Sequence, residues 1–126
     1  MKYFIATVIV LCVIISACVA NIFIIRNICE DIKAEILKAE AFADAGDWGN
    51  ASAAYDKVLN MWNKYKEYFS VVMRHTEVHD IDQYFTHAGE FIKLADYNGY
   101  KAENAVLKGM LETLEKDDLP TLGNIF

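Results

Sequence analysis

The feature that most constrains this chain is a run of 23 residues, from Tyr3 to Ile25, without a charged side chain. A helix of that length spans about 35 Å, which is enough to cross a hydrocarbon core about 30 Å thick. A chain of 126 residues is too short to cover such a helix with protein on every side. We therefore assign residues 1–25 to a transmembrane signal anchor and expect a single-pass membrane protein.

The same run also has the layout of a bacterial export signal, because Lys2 precedes the apolar stretch. Residues 15–18 resemble a lipobox, whose cysteine, here Cys18, is lipidated and becomes the new N-terminus. However, the apolar run continues from Cys18 to Ile25, where a lipoprotein usually begins with a polar tether. We expect an uncleaved anchor, and lipidation of Cys18 is the alternative.

Opposing sequence features indicate on which side of the membrane residues 26–126 lie. Counting cations puts Lys2 and the terminal amine against Arg26, Lys33 and Lys38, which favours a cytoplasmic domain. The very short N-terminal tail is typical of an export signal, and nearby acidic residues dilute the basic flank. All three cysteines lie within the first 29 residues, so a disulfide framework is not expected. We favour an extracytoplasmic domain at the cell membrane.

Charge and motifs exclude several function classes. The chain has 12 basic and 18 acidic side chains, a net charge of −6, so it lacks the clustered cations that bind nucleic acid. Gly46 and Gly49 are isolated glycines and form no phosphate loop. Ser52 and Ser70 have no suitably spaced histidine that could activate them. We predict that the protein is not an enzyme and uses no cofactor.

Residues 26–126 read as an all-α, antiparallel bundle of about four helices. No glycine precedes Gly46, and Pro120 is the only proline, so the membrane helix can continue into the bundle. Gly46 then ends the first helix and Asp47 caps the second. The second helix has apolar residues spaced three and four apart: Trp48, Ala51, Tyr55, Val58, Trp62, Tyr65, Phe69 and Val72.

Two further helices follow. We expect the third to begin at Asp80, with Gln83 in a capping-box position, and to end at an Asn98–Gly99 turn. The fourth should end at the Asp117–Pro120 segment. Beyond it, apolar side chains in a terminal tail predict that Ile125 and Phe126 dock against the bundle.

One hairpin resembles a tetratricopeptide repeat. The resemblance rests on the Gly46-Asp47-Trp48 turn and on Ala51 and Tyr55 in the helix that follows it. A shift by the 34-residue period of that family does not repeat the pattern, so we expect one repeat-like hairpin and no array. Asp96–Tyr97 echoes Asp47–Trp48, which suggests a faint duplication.

The whole chain resembles an uncharacterised family of Gram-positive, mostly clostridial, bacteria known as domain of unknown function 4363. The resemblance rests on the apolar N-terminal segment, the turn at residues 46–48, the aromatic helix through Trp62 and Tyr65, residues 75–78, and the ending at residues 124–126. It implies a small membrane-anchored helical protein without an established activity, and it supplies no catalytic residues.

The histidines offer the only cluster with metal-binding chemistry. On one helix His75 and His79 would share a face, and Asp82 could add a third ligand for zinc. The cluster crosses a predicted helix boundary and does not match a zinc-protease motif, so we interpret these residues as ordinary solvated side chains and predict no metal. They are kept as weak candidates.

Two functional hypotheses remain. The first is a non-enzymatic accessory or scaffold protein that presents its bundle to another protein in or beside the same membrane. The alternative is a sensing domain in which the helices around Trp62, Tyr65 and residues 75–87 enclose a small ligand or a metal.

Overall fold

A computed structural model describes residues 1–117, except for the side chains of His75 and of residues 115–117. It contains four helices: α1 (Lys2–Asp44), α2 (Trp48–Val72), α3 (His75–Lys93) and α4 (Tyr97–Asp117). Residues 1–117 contain no strand, so the all-α prediction is confirmed. The expected docking of Ile125 and Phe126 concerns residues outside the described range.

Helix α1 has two different halves. Every side chain from Met1 to Ala20 is exposed. The second half has a buried stripe, formed by Ile25, Ile28, Cys29, Ile32, Ile36, Ala39, Glu40 and Ala43. Within residues 1–117, α1 is the one helix that is long and apolar enough to cross a membrane. An N-terminal apolar helix therefore continues without a break into a helical bundle, as predicted.

Packing between α1 and α2 begins inside the charge-free run. The Tyr68 hydroxyl at the end of α2 donates a hydrogen bond to Asn21 Oδ1 of α1. Asn21 and Ile22 are half-buried, and Ile25 is the first buried residue of α1. The bundle thus starts about one helical turn before the end of the apolar segment at Ile25.

The predicted start of α3 at Asp80 is wrong, because α3 begins at His75. Helix α2 ends when Met73 takes an extended backbone conformation, and Arg74 is the N-cap residue of α3. Two residues are enough for this connection. Asp80 lies in the second turn of α3, and Gln83 bonds its neighbour His79 (3.2 Å) instead of capping the helix.

The predicted turn at Asn98–Gly99 is also wrong. The turn lies at residues 94–96, where Ala95 has a left-handed backbone with φ 53°. Asp96 accepts a hydrogen bond from the Gly99 backbone N–H (3.0 Å), so it caps α4. An alanine in this conformation is uncommon, and for that reason the sequence did not reveal the turn.

The two helical hairpins are related by a shift of 49 residues. The shift takes Asp47, the N-cap of α2, to Asp96, and it takes Phe42 to Phe91. Both aspartates donate a backbone N–H to the matching phenylalanine carbonyl at 2.9 Å. The glycine with φ 76°, Gly46, corresponds to Ala95. The suspected duplication therefore exists as two equivalent hairpins with the same turn.

The buried residues of the two hairpins are also related by the shift of 49 residues. Buried residues of the first hairpin fall on buried residues of the second: Cys29 on Val78, Ile32 on Ile81, Ile36 on Phe85, Ala39 on Ala88, Ala43 on Ile92, Ala51 on Tyr100, Tyr55 on Asn104, Val58 on Leu107 and Trp62 on Leu111. Contacts of α2 with α3 and of α1 with α4 then join the hairpins into a closed four-helix bundle.

Candidate functional site

A cluster of charged and polar side chains lies where α1 meets α4. We call it the polar seam, and it consists of Glu40, Asp44, Tyr97, Lys101, Asn104 and Lys108. Glu40 is at its centre, on the buried stripe of α1 between Ile36 and Ala43. Its neighbours on α4 project from successive turns because they are spaced three and four residues apart.

Three donors converge on the Glu40 carboxylate. Lys101 Nζ donates to Oε1 at 2.5 Å, while Lys108 Nζ and Asn104 Nδ2 donate to Oε2 at 2.8 and 3.1 Å. Lys101 also pairs with Asp44 at 3.3 Å, which in turn accepts from the Tyr97 hydroxyl at 2.8 Å. One buried carboxylate is thereby paired with two cations and one amide.

The charges in the seam shift one another's pKa values. Burial raises the pKa of Glu40, but the hydrogen bonds and charges of Lys101 and Lys108 outweigh burial and hold it below its usual value. The hydrogen bond to Glu40 raises the pKa of Lys101. Glu40 and Lys101 are therefore charged at neutral pH, and the seam is ionic.

The seam continues into the centre of the bundle. Tyr100 and Asn104 are fully buried, and the rings of Tyr100 and Tyr55 meet edge to face with centroids 6.3 Å apart. Burial, followed by the charges of Glu40 and Asp44, raises the pKa of the Tyr100 hydroxyl, so it stays protonated. Among the described residues, the Tyr100 hydroxyl and Asn104 Oδ1 have no hydrogen-bond partner.

This arrangement can hold two helices together, but it does not resemble a catalytic constellation. Glu40 is fully engaged by Lys101, Lys108 and Asn104, so it is not placed as a base next to a nucleophile. The seam joins the first hairpin to the second at α1 and α4.

A separate open groove of about 460 Å³ lies between α3 and α4. Apolar side chains line it, with two carboxylates from α3: Ile81, Val106, Met110, Thr113, Leu114, Gly109, Glu77 and Asp80. In the first hairpin the equivalent positions carry larger residues, because Gly109 corresponds to Asn60, Thr113 to Lys64 and Leu114 to Tyr65. The second hairpin therefore has smaller side chains along this groove than the first hairpin has at the equivalent positions.

The metal candidates of the sequence are not gathered into a site. Asp82 Oδ1 accepts from Trp62 Nε1 at 2.8 Å and lies 3.4 Å from Lys66 Nζ, so it belongs to the α2–α3 contact. His79 bonds Gln83, and the His75 side chain lies outside the described part. Among described residues, no group of three or more His, Cys, Asp or Glu side chains could hold a metal ion.

The cysteines differ in their surroundings. Cys12 and Cys18 are exposed on the apolar half of α1, whereas Cys29 is buried in the bundle. Cys18 is in the middle of an unbroken helix. The uncleaved anchor stays a prediction, and lipidation of Cys18 stays its alternative.

Sequence reasoning missed the polar seam, although one signal was present. Glu40 falls at a spacing of four and three from Ile36 and Ala43, so it interrupts an otherwise apolar stripe. An acidic residue at such a position predicts a cationic partner on another helix. That Lys101 and Lys108 supply the cations could not be read from spacing, because the pairing depends on how the hairpins dock.

One comparison with known proteins identifies a family. A family model described as a domain of unknown function, DUF4363, matches residues 19–125. The chain therefore belongs to that family, as its sequence pattern suggested. Neither the curated proteins nor the solved structures include a match.

Proposed function

We propose that this protein is a non-enzymatic accessory or scaffold protein, anchored by its N-terminal helix at the extracytoplasmic face of the cell membrane. The observation that carries the proposal is the continuity of α1, whose first half is an exposed apolar helix and whose second half carries a buried stripe of the bundle core. No flexible tether separates the anchor from the domain. A bundle held this way presents fixed surfaces to a neighbouring protein.

The polar seam supports this proposal. It locks α4 to α1, the helix that carries the anchor, through Glu40 and its two lysines. Because α3 packs against α4, the whole second hairpin takes its orientation from α1. A scaffold needs a constant orientation, whereas an enzyme needs a reactive site.

Orientation in the membrane can be tested by labelling a cysteine in intact cells. Leu94 lies in the turn between α3 and α4 and is 72% exposed. A membrane-impermeant maleimide should label Leu94→Cys without cell lysis if the bundle is extracytoplasmic. Phe85→Cys, at a fully buried position, is the control for non-specific labelling. Labelling of Leu94→Cys only after lysis would place the domain in the cytoplasm.

The partner can be sought by photo-crosslinking in the native membrane. A photoreactive residue at Leu94 probes the turn end of the bundle, and one at Leu37, which is 56% exposed, probes its side. A scaffold should give a reproducible crosslink to one membrane protein from one of these positions. If no position crosslinks and no membrane protein co-purifies, the scaffold proposal is wrong.

The α3–α4 groove supports a second candidate, a sensor of a small apolar ligand. Its volume of about 460 Å³ lies within the range of small-molecule sites. A ligand that binds only the folded state raises the melting temperature, so a screen of metabolites and zinc tests this function. Gly109→Leu should fill the groove and abolish any such shift. Without a shift, the groove is a packing defect only.

A further inference from the structure

The C-terminal end of α2 carries an exposed apolar surface. We call residues 68–73 the valine tip. They contain no charged side chain, and Glu67 and Arg74 flank them. Val71 is 84% exposed and Val72 is 38% exposed. By contrast, the two hairpin turns at the opposite end of the bundle include Asp44, Asp47 and Asp96.

The valine tip lies beside the apolar half of α1. The Tyr68–Asn21 hydrogen bond shows that the end of α2 is level with Asn21 of α1. Because α1 and α2 are antiparallel, residues after Tyr68 lie beside residues of α1 that precede Asn21. Val71 is three residues beyond Tyr68, and Asn21 is four residues before Ile25, the end of the charge-free run. At 1.5 Å per residue, Val71 therefore lies roughly 10 Å inside that run.

This depth can be compared with the thickness of a membrane. The run is about 35 Å long as a helix, whereas the hydrocarbon core is about 30 Å thick, which leaves about 5 Å to spare. If all 5 Å of surplus helix project from the hydrocarbon on the side of the bundle, Val71 is still about 5 Å inside the hydrocarbon. If the surplus projects on the opposite side, Val71 is about 10 Å inside the hydrocarbon.

The polar side chains of the valine tip are bonded within the protein. The Ser70 hydroxyl donates to the Lys66 carbonyl at 2.9 Å, and the Met73 N–H donates to the Phe69 carbonyl at 2.9 Å. Tyr68 is already paired with Asn21. Moving these groups out of water thus costs little. Arg26 lies at the end of the charge-free run, where a lipid phosphate would meet it. Arg74 follows Met73 at the level of the tip, so its long side chain has to extend toward the phosphates.

We propose that the valine tip inserts into the lipid bilayer beside α1, as a second membrane contact of the bundle. This inference rests on the proposed membrane anchor. Val71 and Val72 meet acyl chains, Tyr68 lies closer to the interface, and the Arg74 side chain extends from the tip toward the headgroups. Because the chain has a net charge of −6, the contact is apolar and does not require anionic lipid.

Spin-label accessibility in vesicles tests the insertion. The full chain, with Cys12, Cys18 and Cys29 replaced by alanine, is reconstituted into phosphatidylcholine vesicles, and single cysteines at Val71, Leu94 and Val13 carry the label. The Val71 and Leu94 side chains are both largely exposed in the protein, so they form a matched pair. Collisions with oxygen report lipid, and collisions with a water-soluble nickel chelate report water.

The proposal predicts that the label at Val71 collides with nickel several-fold less than the label at Leu94, and more with oxygen. A label at Val72 should agree with Val71, and helix content measured for each variant verifies folding. If Val13 is in lipid but Val71 matches Leu94, the tip is in water and the inference is wrong while the anchor stands. If Val13 also matches Leu94, the membrane anchor itself is wrong.

Discussion

The two contacts that close the bundle occupy equivalent places but use different chemistry. The α2–α3 contact, which we call the apolar seam, packs Tyr55 against Gly89 and stacks Trp62 on Phe85. Under the 49-residue shift, Tyr55 corresponds to Asn104 and Gly89 corresponds to Glu40. The place that Tyr55 and Gly89 occupy in the α2–α3 contact is therefore occupied in the α1–α4 contact by Asn104 and the charged Glu40. One hairpin architecture can thus be joined by shape or by charge, and the two seams should fail under different conditions.

Trp62→Ala should have the largest effect and should break the apolar seam. Trp62 is 1% exposed, its ring lies 4.7 Å from that of Phe85, and Nε1 donates to Asp82. Removing it leaves a cavity and takes one of the two donors from the Asp82 carboxylate, at a cost of about 3 to 5 kcal/mol. Denaturant unfolding of the full chain in detergent micelles measures this loss.

Trp62→Phe is the control, because it keeps a ring on Phe85 while it loses the hydrogen bond to Asp82 and only part of the buried ring volume. It should cost less than half as much as the alanine variant. If Trp62→Ala keeps the wild-type transition and loses partner binding instead, Trp62 belongs to an interface and its place in the core is wrong.

Glu40→Gln should weaken the polar seam by about 2 kcal/mol at neutral pH, because Lys101 and Lys108 lose the charge that pairs them. Glu35 offers a matched control, since its carboxylate also pairs with two lysines, Lys38 and Lys57, which are mostly exposed. Glu35→Gln should cost no more than about 1 kcal/mol. Equal losses would mean that the polar seam is no more than a surface ion pair.

The polar seam should respond to acid. The pKa of Glu40 is lowered in the folded state, so its stabilisation is present above the unfolded value of about 4.3 and is lost as pH falls through the lower folded value. Wild type and Glu40→Gln should therefore differ in unfolding free energy at pH 7 and converge as the pH falls through the lowered pKa of Glu40. A difference that persists in acid would contradict the ionic account of the seam.

Two glycine substitutions should have the smallest effects, with opposite signs. A Cβ at Gly89 would lie 3.2 Å from Tyr55 Cε1, and Tyr55 cannot retreat because its hydroxyl is bonded to the Phe85 carbonyl. Gly89→Ala should lower the free energy of unfolding by about 1 kcal/mol despite the better helix propensity of alanine.

Gly109 has open space around it, so Gly109→Ala should raise the free energy of unfolding by about 0.5 to 1 kcal/mol. Thermal unfolding of both variants compares them, and equal signs would contradict close packing in the apolar seam.

The parts of the fold that depend on local chemistry could be predicted from sequence. The apolar run, the left-handed Gly46 and the Asp47 cap are each set by a few neighbouring residues, and all three are confirmed. The second turn was misplaced because Ala95 takes a conformation that glycine usually adopts. Gly99, which does look like a turn residue, instead lies in the first turn of α4.

The candidate site was harder to predict, because it depends on contacts between residues about 60 positions apart. Spacing shows that Glu40 faces the core, but only docking of the hairpins brings Lys101 to it. The α3–α4 groove also escaped notice, since it becomes visible only when Gly109 and Thr113 are compared with their bulkier equivalents in the first hairpin.

The continuity of α1 also sets a distance. From Ile25 to Asp44 the helix climbs about 30 Å, and the second hairpin turn lies at the same end of the bundle as the first. If the apolar half of α1 is in the membrane, both hairpin turns lie at a fixed height above the lipid. A protein that touches them must carry its own contact surface at that height, whereas a protein lying flat on the bilayer could reach only the sides of the bundle.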